Sequence, residues 1–359
     1  MTSIPVTTSP EASPARTIPS EALLARLLRS GRIVIGGGLL LCIVLLCLLT
    51  LPATLDEQST LHFDGQRPSL SLHPPSRSRD AAYAERGVAV PADQRHFGHN
   101  ASLWFGTDTL GRSILGRCLL GGTISLLVGI AAATIAVVLG VTVGVLAGYR
   151  GGWVDSALMR FVDILYGLPY ILLVILFKIA FEPPLANSRL FQWLFTDDGK
   201  ATGILGPQAA ANLVVLFLAI GLVSWLTMAR VVRGLVLSLR SQPFIEACRA
   251  SGLPEWRIFT RHLLPNLMGP ITVYATLTVP QAILQESFLS FLGIGIQPPM
   301  PTWGSLASEG LLQSLNTINP RWWLLTFPCV LLAITLLSLN FLGDGLRDVF
   351  DPKREAAKI

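Results

Sequence analysis

Lysine is nearly missing from this chain: 359 residues hold four, Lys178, Lys200, Lys353 and Lys358. None of them closes a G-x-x-x-x-G-K-[ST] loop, so the chain has no P-loop with which to hold ATP. Charge of either sign is scarce, at 14% of residues. No HExxH and no GxSxG occurs, which leaves a membrane protease or esterase without reacting groups. The five cysteines (Cys42, Cys47, Cys118, Cys248, Cys329) show no CxxC spacing and fall mostly in or beside apolar runs. There they serve as small packing residues rather than as a disulfide or metal set. No apolar run carries paired histidines for haem or a carboxylate series for a proton relay. An enzyme of its own chemistry is thereby excluded.

Apolar residues are what the chain has: 51% of it, with a mean hydropathy of +0.57. Several uncharged stretches reach the roughly 20 residues that cross a bilayer core, so the chain reads as an all-α polytopic membrane protein. The net charge of +5 then speaks of membrane sidedness rather than of nucleic acid. Residues 1–32 form a polar, disordered tail that turns basic at Arg26, Arg29 and Arg32, ahead of a first helix over 33–51. That run exceeds the h-region of a signal peptide and is taken as uncleaved. Residues 52–117 make a long outer loop; His96 and His99 lie in it three apart, but no third metal ligand accompanies them. The core follows over 118–343, with further spans at 118–149, 161–181, 210–229, 265–285 and 322–343, and 344–359 is a cytoplasmic tail. Short basic turns at 150–160 and 230–264 place both termini inside.

Within the spans, Gly140, Gly144 and Gly148 repeat every four residues and let a neighbouring helix approach closely. Leucines at these positions are expected to weaken subunit packing. Pro169 is expected to kink the third span, and Lys178 to snorkel outward from its outer end, as Asp163 does at the inner end. The stretch Glu286 to Gly304 reads as an irregular or re-entrant element.

The most informative stretch is 242–266, QPFIEACRASGLPEWRIFTRHLLPN, polar and arginine-rich between apolar runs. Pro243 suits the first turn of a helix, Gly252 a left-handed terminus, and Pro254 the opening of a second helix that Pro265 then breaks. Trp256, Phe259 and Leu263 recur at helical spacing as an apolar docking face, and Arg257 and Arg261 fall on another. Such an element presents itself to another protein.

This stretch resembles the EAA motif, E-A-A-x3-G-x9-I-x-L-P, of binding-protein-dependent ABC importers. Glu246 and Ala247 open it, Gly252 follows in register, and Leu264 and Pro265 close it, with Cys248 for the second alanine and His262 for the isoleucine. FGTDTLGRSILGR, AGYRGGWVDSALMRFVDILYGLP, LSFLGIGIQPPMPTWG and GDGLRDVFDPK resemble the dipeptide, oligopeptide and nickel branch of that family. The resemblance implies a six-helix permease subunit of the type I importer fold in a bacterial inner membrane. It implies a homologous permease as partner, two ATPase subunits that carry the ATP and Mg, and an extracytoplasmic substrate-binding protein. The chain itself then holds no cofactor and no metal, is no enzyme, and touches lipid rather than nucleic acid. Peptide is the leading substrate, and nickel chelates or glutathione are alternatives. A secondary transporter would need inverted repeats and midplane charges, and neither is evident.

Overall fold

Helix dominates because in a bilayer every backbone polar group must be satisfied within its own segment. The computed structural model describes residues 27–350 apart from 28, 57–58, 77–78, 89–100, 198–199 and 202–205. The tail before residue 27, His96, His99, Asp198 and the tail beyond residue 350 lie outside the described residues. The main helices are α1 (Gly31–Leu55), the short α2 (Arg79–Glu85), α3 (Ile114–Arg150), α4 (Gly152–Tyr166) and α5 (Tyr170–Ala186). They continue as α6 (Arg189–Phe195), a two-residue hairpin of β1 (Thr196–Asp197) and β2 (Lys200–Ala201), and α7 (Pro207–Arg240). Then come α8 (Pro243–Ala250), α9 (Glu255–Ile258), α10 (Leu264–Phe291), α11 (Trp303–Ser314) and α12 (Trp323–Phe350).

Among the described residues five helices are long and apolar enough to cross a membrane, and the bent pair α4–α5 makes a sixth if counted as one span. At 1.5 Å per residue the 37 residues of α3 reach about 55 Å, far beyond a hydrocarbon core of about 30 Å. Its ends therefore build structure outside the apolar layer.

The third span differs from expectation. Instead of a kinked helix over 161–181, α4 and α5 meet at 91°. Leu168 precedes a proline and is pushed out of the α region, and Pro169 (ψ 123°) caps α5 rather than continuing α4. The stretch read as irregular also differs: α10 runs helical through Glu286 to Phe291, and only 292–302 is loop before α11. Pro265 does not break a helix either. A π turn at Phe259–Leu263, with the Leu264 N–H donating to the Phe259 carbonyl, joins α9 to α10, and Pro265 sits in the first turn of α10.

The molecular core is the seam between α3 and α7. A Cβ on Gly140 would fall 2.5 Å from Met228 Cβ, one on Gly144 2.5 Å from the Ala229 carbonyl, and one on Gly148 2.8 Å from Val236 Cβ. The glycine face thus meets α7 of the same chain, which corrects the expectation of a subunit contact. Lipid tails are as apolar as side chains, so such close packing, not water exclusion, holds the pair together. Further along, Ile124, Val128 and Ala132 of α3 pack with Leu216 and Ile220 of α7 and with Ala282 and Leu289 of α10. By contrast α1 leaves most of its apolar surface open, with Leu49 76% exposed, and leans on α12 where Gly36 approaches the Ser338 carbonyl.

Candidate functional site

Punctuation makes the stretch 242–266 what it is. Pro243 occupies the first turn of α8, where its missing N–H costs nothing, and Glu246 lies in the same turn, where the helix dipole favours a carboxylate. The helix closes with a double bond pattern: Leu253 N–H to the Cys248 carbonyl (3.2 Å) and Gly252 N–H to that of Arg249 (2.9 Å). That Schellman closure requires a left-handed residue, and Gly252 has φ +75°. Pro254 stands just outside α9 as its cap.

This elbow is tied to the rest of the bundle at the arginine-rich end. Arg249 Nε donates to Glu255 Oε1 at 2.8 Å, and the Tyr149 hydroxyl, at the end of α3, donates to the same carboxylate and to the Glu255 carbonyl (2.8 Å). Arg240 Nη1 in turn donates to the Tyr149 carbonyl at 3.2 Å. The hydrogen bond it donates to Glu255 holds the Arg249 guanidinium above its ordinary value, against a smaller effect of burial. Two further clamps fasten α4 to α7: Arg233 pairs with both oxygens of Asp155, and Arg230 with Asp163 at 2.8 Å while lying 4.0 Å over the Tyr166 ring. These arginines do more than orient the chain in a membrane.

Trp256, Phe259 and Leu263 do not form the single outward face read from their spacing. Leu263 is fully buried with Leu267, Met228, Val232 and Val236, and half-buried Phe259 lies 5.3 Å from the Tyr149 ring. The apolar stripe is turned inward to pack on α3 and α7. Trp256 alone of the three is open, at 74% exposure. Beside it in sequence Phe244, Glu246, Ala247, Gly252 and Pro265 are exposed, and Leu264 is half-buried. Phe244 was missed, because a lone aromatic next to a proline has no periodic partner.

Between this stretch and the opposite end of the bundle, the α4–α5 elbow, α7 and α10 enclose a cleft of about 490 Å³. Its wall mixes aliphatic with neutral polar side chains, among them Ser224, Gln281 and Gln285, and among the described residues no charged one lines it. Glu286, next to Gln285 in the chain, does not line this space. It is fully buried and accepts from Ser290 (2.7 Å), Ser125 (2.9 Å) and Ser287 (3.3 Å), so each oxygen is satisfied.

At the far end, Lys178 does not snorkel. It is buried, and its Nζ donates to the carbonyls of Ile294 (2.5 Å) and Gly295 (2.7 Å), which fastens the loop after α10 onto α5. The GTDTLGR segment forms an ion cluster there. Arg117, 2% exposed, donates to both carboxylate oxygens of Glu309 (2.6 and 3.0 Å) and to Asp108 (2.9 Å). Arg112 joins Asp108 (2.6 Å) to Asp64 (3.0 Å). Burial alone would lower the Arg112 guanidinium, but Asp108, Asp64 and Glu309 together raise it above its usual value. Among the described residues no group of His, Cys, Asp and Glu has the geometry of a metal site.

The family of inner membrane components of binding-protein-dependent transport systems matches residues 140–356, more than half the chain. The chain belongs to this family. Among its relatives, the oligopeptide transport system permease protein OppC of Haemophilus influenzae is 44% identical over 250 residues, 70% of each chain. The dipeptide transport system permease protein DppC of Bacillus subtilis is 42% identical over 254 residues, 71% of this chain and 70% of the relative. The glutathione transport system permease protein GsiD of Pectobacterium atrosepticum is 37% identical over 261 residues, covering 73% and 76%. A solved inward-facing MetNI methionine ABC transporter aligns with a TM-score of 0.46 at 20% identity, over 66% of this chain and 97% of that one. The family matched here is one of transport permeases rather than enzymes, and its membership makes this chain a multi-pass inner membrane component of an ABC importer. Such a component works with ATPase and substrate-binding partners.

Proposed function

We propose that this permease translocates dipeptides or oligopeptides inward. On this reading it is a type I importer subunit with six spans, α4 and α5 counting as one, and with both termini in the cytoplasm. It pairs with one homologous permease, two ATPase subunits and one external binding protein. Peptide follows from the relatives, whose names speak of oligopeptide and dipeptide transport at 42–44% identity. The stretch 242–266 is where the ATPase docks, and Glu246, Ala247, Gly252, Leu264 and Pro265 are the residues that match the family motif.

The observation that carries the docking assignment is the elbow itself. Its outer surface, with Trp256 and Phe244, is uncovered, while its inner surface is bonded to α3 and buried against α7. A force applied outside therefore reaches two membrane helices directly. Gly252→Val tests it: a β-branched residue at φ +75° breaks the closure of α8 without touching the bundle. The variant is expected to insert and assemble normally, and to hydrolyse ATP while losing peptide uptake by at least about tenfold, the loss that 1.4 kcal/mol of coupling would bring. Wild-type uptake by that variant rejects the docking assignment.

A further inference from the structure

The cleft between the α4–α5 elbow, α7 and α10 contains an arrangement that membership of the family does not explain. Tyr274, Thr278, Gln281 and Gln285 follow one another at spacings of four, three and four residues, which puts them on one face of α10. Ser224 answers them from α7, its hydroxyl 3.3 Å from Gln285 Oε1. The bond engages the oxygen of Gln285 and leaves its NH2 donors over. Gln281 is exposed, and its side chain has no hydrogen-bond partner among the described residues. The Tyr170 hydroxyl, across the cleft on α5, is buried and also without one among them.

A buried hydroxyl and an exposed amide in a spanning helix, neither with a partner among the described residues, are expensive against lipid, so this face belongs to a water-filled or substrate-filled space. A primary amide offers one acceptor and two donors in the plane of a peptide group, and so pairs with a peptide backbone whatever the side chains. Charged walls would sort peptides by charge. This wall has none. The volume, about 490 Å³, is within the range of ligand pockets.

We infer that Gln281 and Gln285, supported by Ser224, bind the backbone amides of a peptide in transit and make this half of the path indifferent to peptide charge. The inference rests on the peptide reading above. The complete complex, with both permeases, both ATPases and the binding protein, is reconstituted in vesicles. ATP-driven uptake is then measured for trialanine and for its analogues with a central lysine or glutamate.

The Gln281→Leu/Gln285→Leu variant is expected to carry all three about tenfold more slowly, the loss of one or two hydrogen bonds in transit. The affinity of the binding protein for each peptide stays the same. Gln281→Glu, which keeps shape and polarity, is expected to slow the glutamate peptide about tenfold relative to the lysine peptide, which a merely structural residue would not do. Leucine variants that match the wild type, or a Gln281→Glu variant that shifts all three peptides equally, overturn the inference. If the wild-type complex takes up none of the three, the peptide reading itself falls.

Discussion

A Cβ at Gly252 would meet no atom within 4 Å, yet the φ of +75° strains any L side chain there. The cost of a left-handed conformation is about 1–2 kcal/mol, higher for a β-branched residue and lower for asparagine. Gly252→Asn is therefore expected to keep more uptake than Gly252→Val, an order that the same vesicle measurement reads. Arg117 is constrained in the opposite way, by partners rather than by backbone. Arg117→Ala removes one of the two cations that Asp108, 7% exposed at its side chain, and Glu309 share, and leaves them Arg112 alone. Leaving a buried charge wholly unpaired costs about 3–5 kcal/mol, and the remaining Arg112 with the 40% exposure of Glu309 puts this case below that range. The purified protein is expected to melt several degrees lower, and Arg117→Lys to recover only part, since a point charge cannot fork onto two oxygens. An unchanged melting temperature for the alanine variant would refute the cluster's role. Gly252 was legible in the sequence because its constraint is local. Arg117 and Lys178 were not, because Glu309 is 192 residues away from the one and Gly295 is 117 from the other.

At the level of elements, periodicity told which residues share a face but not which way the face turns. Gly140, Gly144 and Gly148 were visible as a close-packing face, and their partner on α7 was not. The same limit reversed Leu263, which lies on an apolar stripe that docks inward. Proline rules carried further in one place than in another. Pro169 was read as a kink and marks a 91° turn, because α4 ends at Gly167 and Pro169, at ψ 123°, starts α5 in a new direction. Pro265 was read as a break, and the chain instead absorbs it in the first turn of α10, just past the π turn. Gly144→Leu tests the seam: four added carbons would meet the Ala229 carbonyl and Val232, and overpacking of this kind costs about 1–3 kcal/mol or more. The melting temperature is expected to fall in the chain purified alone as much as in the full complex. A fall seen only in the complex would move the glycine face to a subunit boundary after all.

For the whole molecule, composition and the missing P-loop already separated the path from its energy source. The all-helical architecture and its approximate span positions were legible, because roughly twenty-residue apolar runs leave few alternatives. The interior polar order was not: the clamps from Arg230 and Arg233 to α4 join segments whose relation only the folded chain defines. The proposed topology predicts that reporters fused ahead of Gly31 and after Phe350 report the same, cytoplasmic side, while one inserted at Asn187 reports the other. Termini on opposite sides would require α4 and α5 not to cross as one segment.

From Glu255 to Phe291 the chain is helical throughout, 37 residues with a single π turn near its start. Trp256 stands at one end of this rod and Gln281 and Gln285 near the other, with the fixed seam of α3 and α7 alongside. On the proposed docking such a segment carries a push from one end towards the other, with Pro270 and Pro280 inside it. A tilt of a few degrees imposed at Trp256 arrives about 25 residues further on, roughly 40 Å away, as a sideways sweep of the two glutamines. The groups proposed to meet the peptide and the surface proposed to meet the ATPase thus stand on one unbroken run of helix.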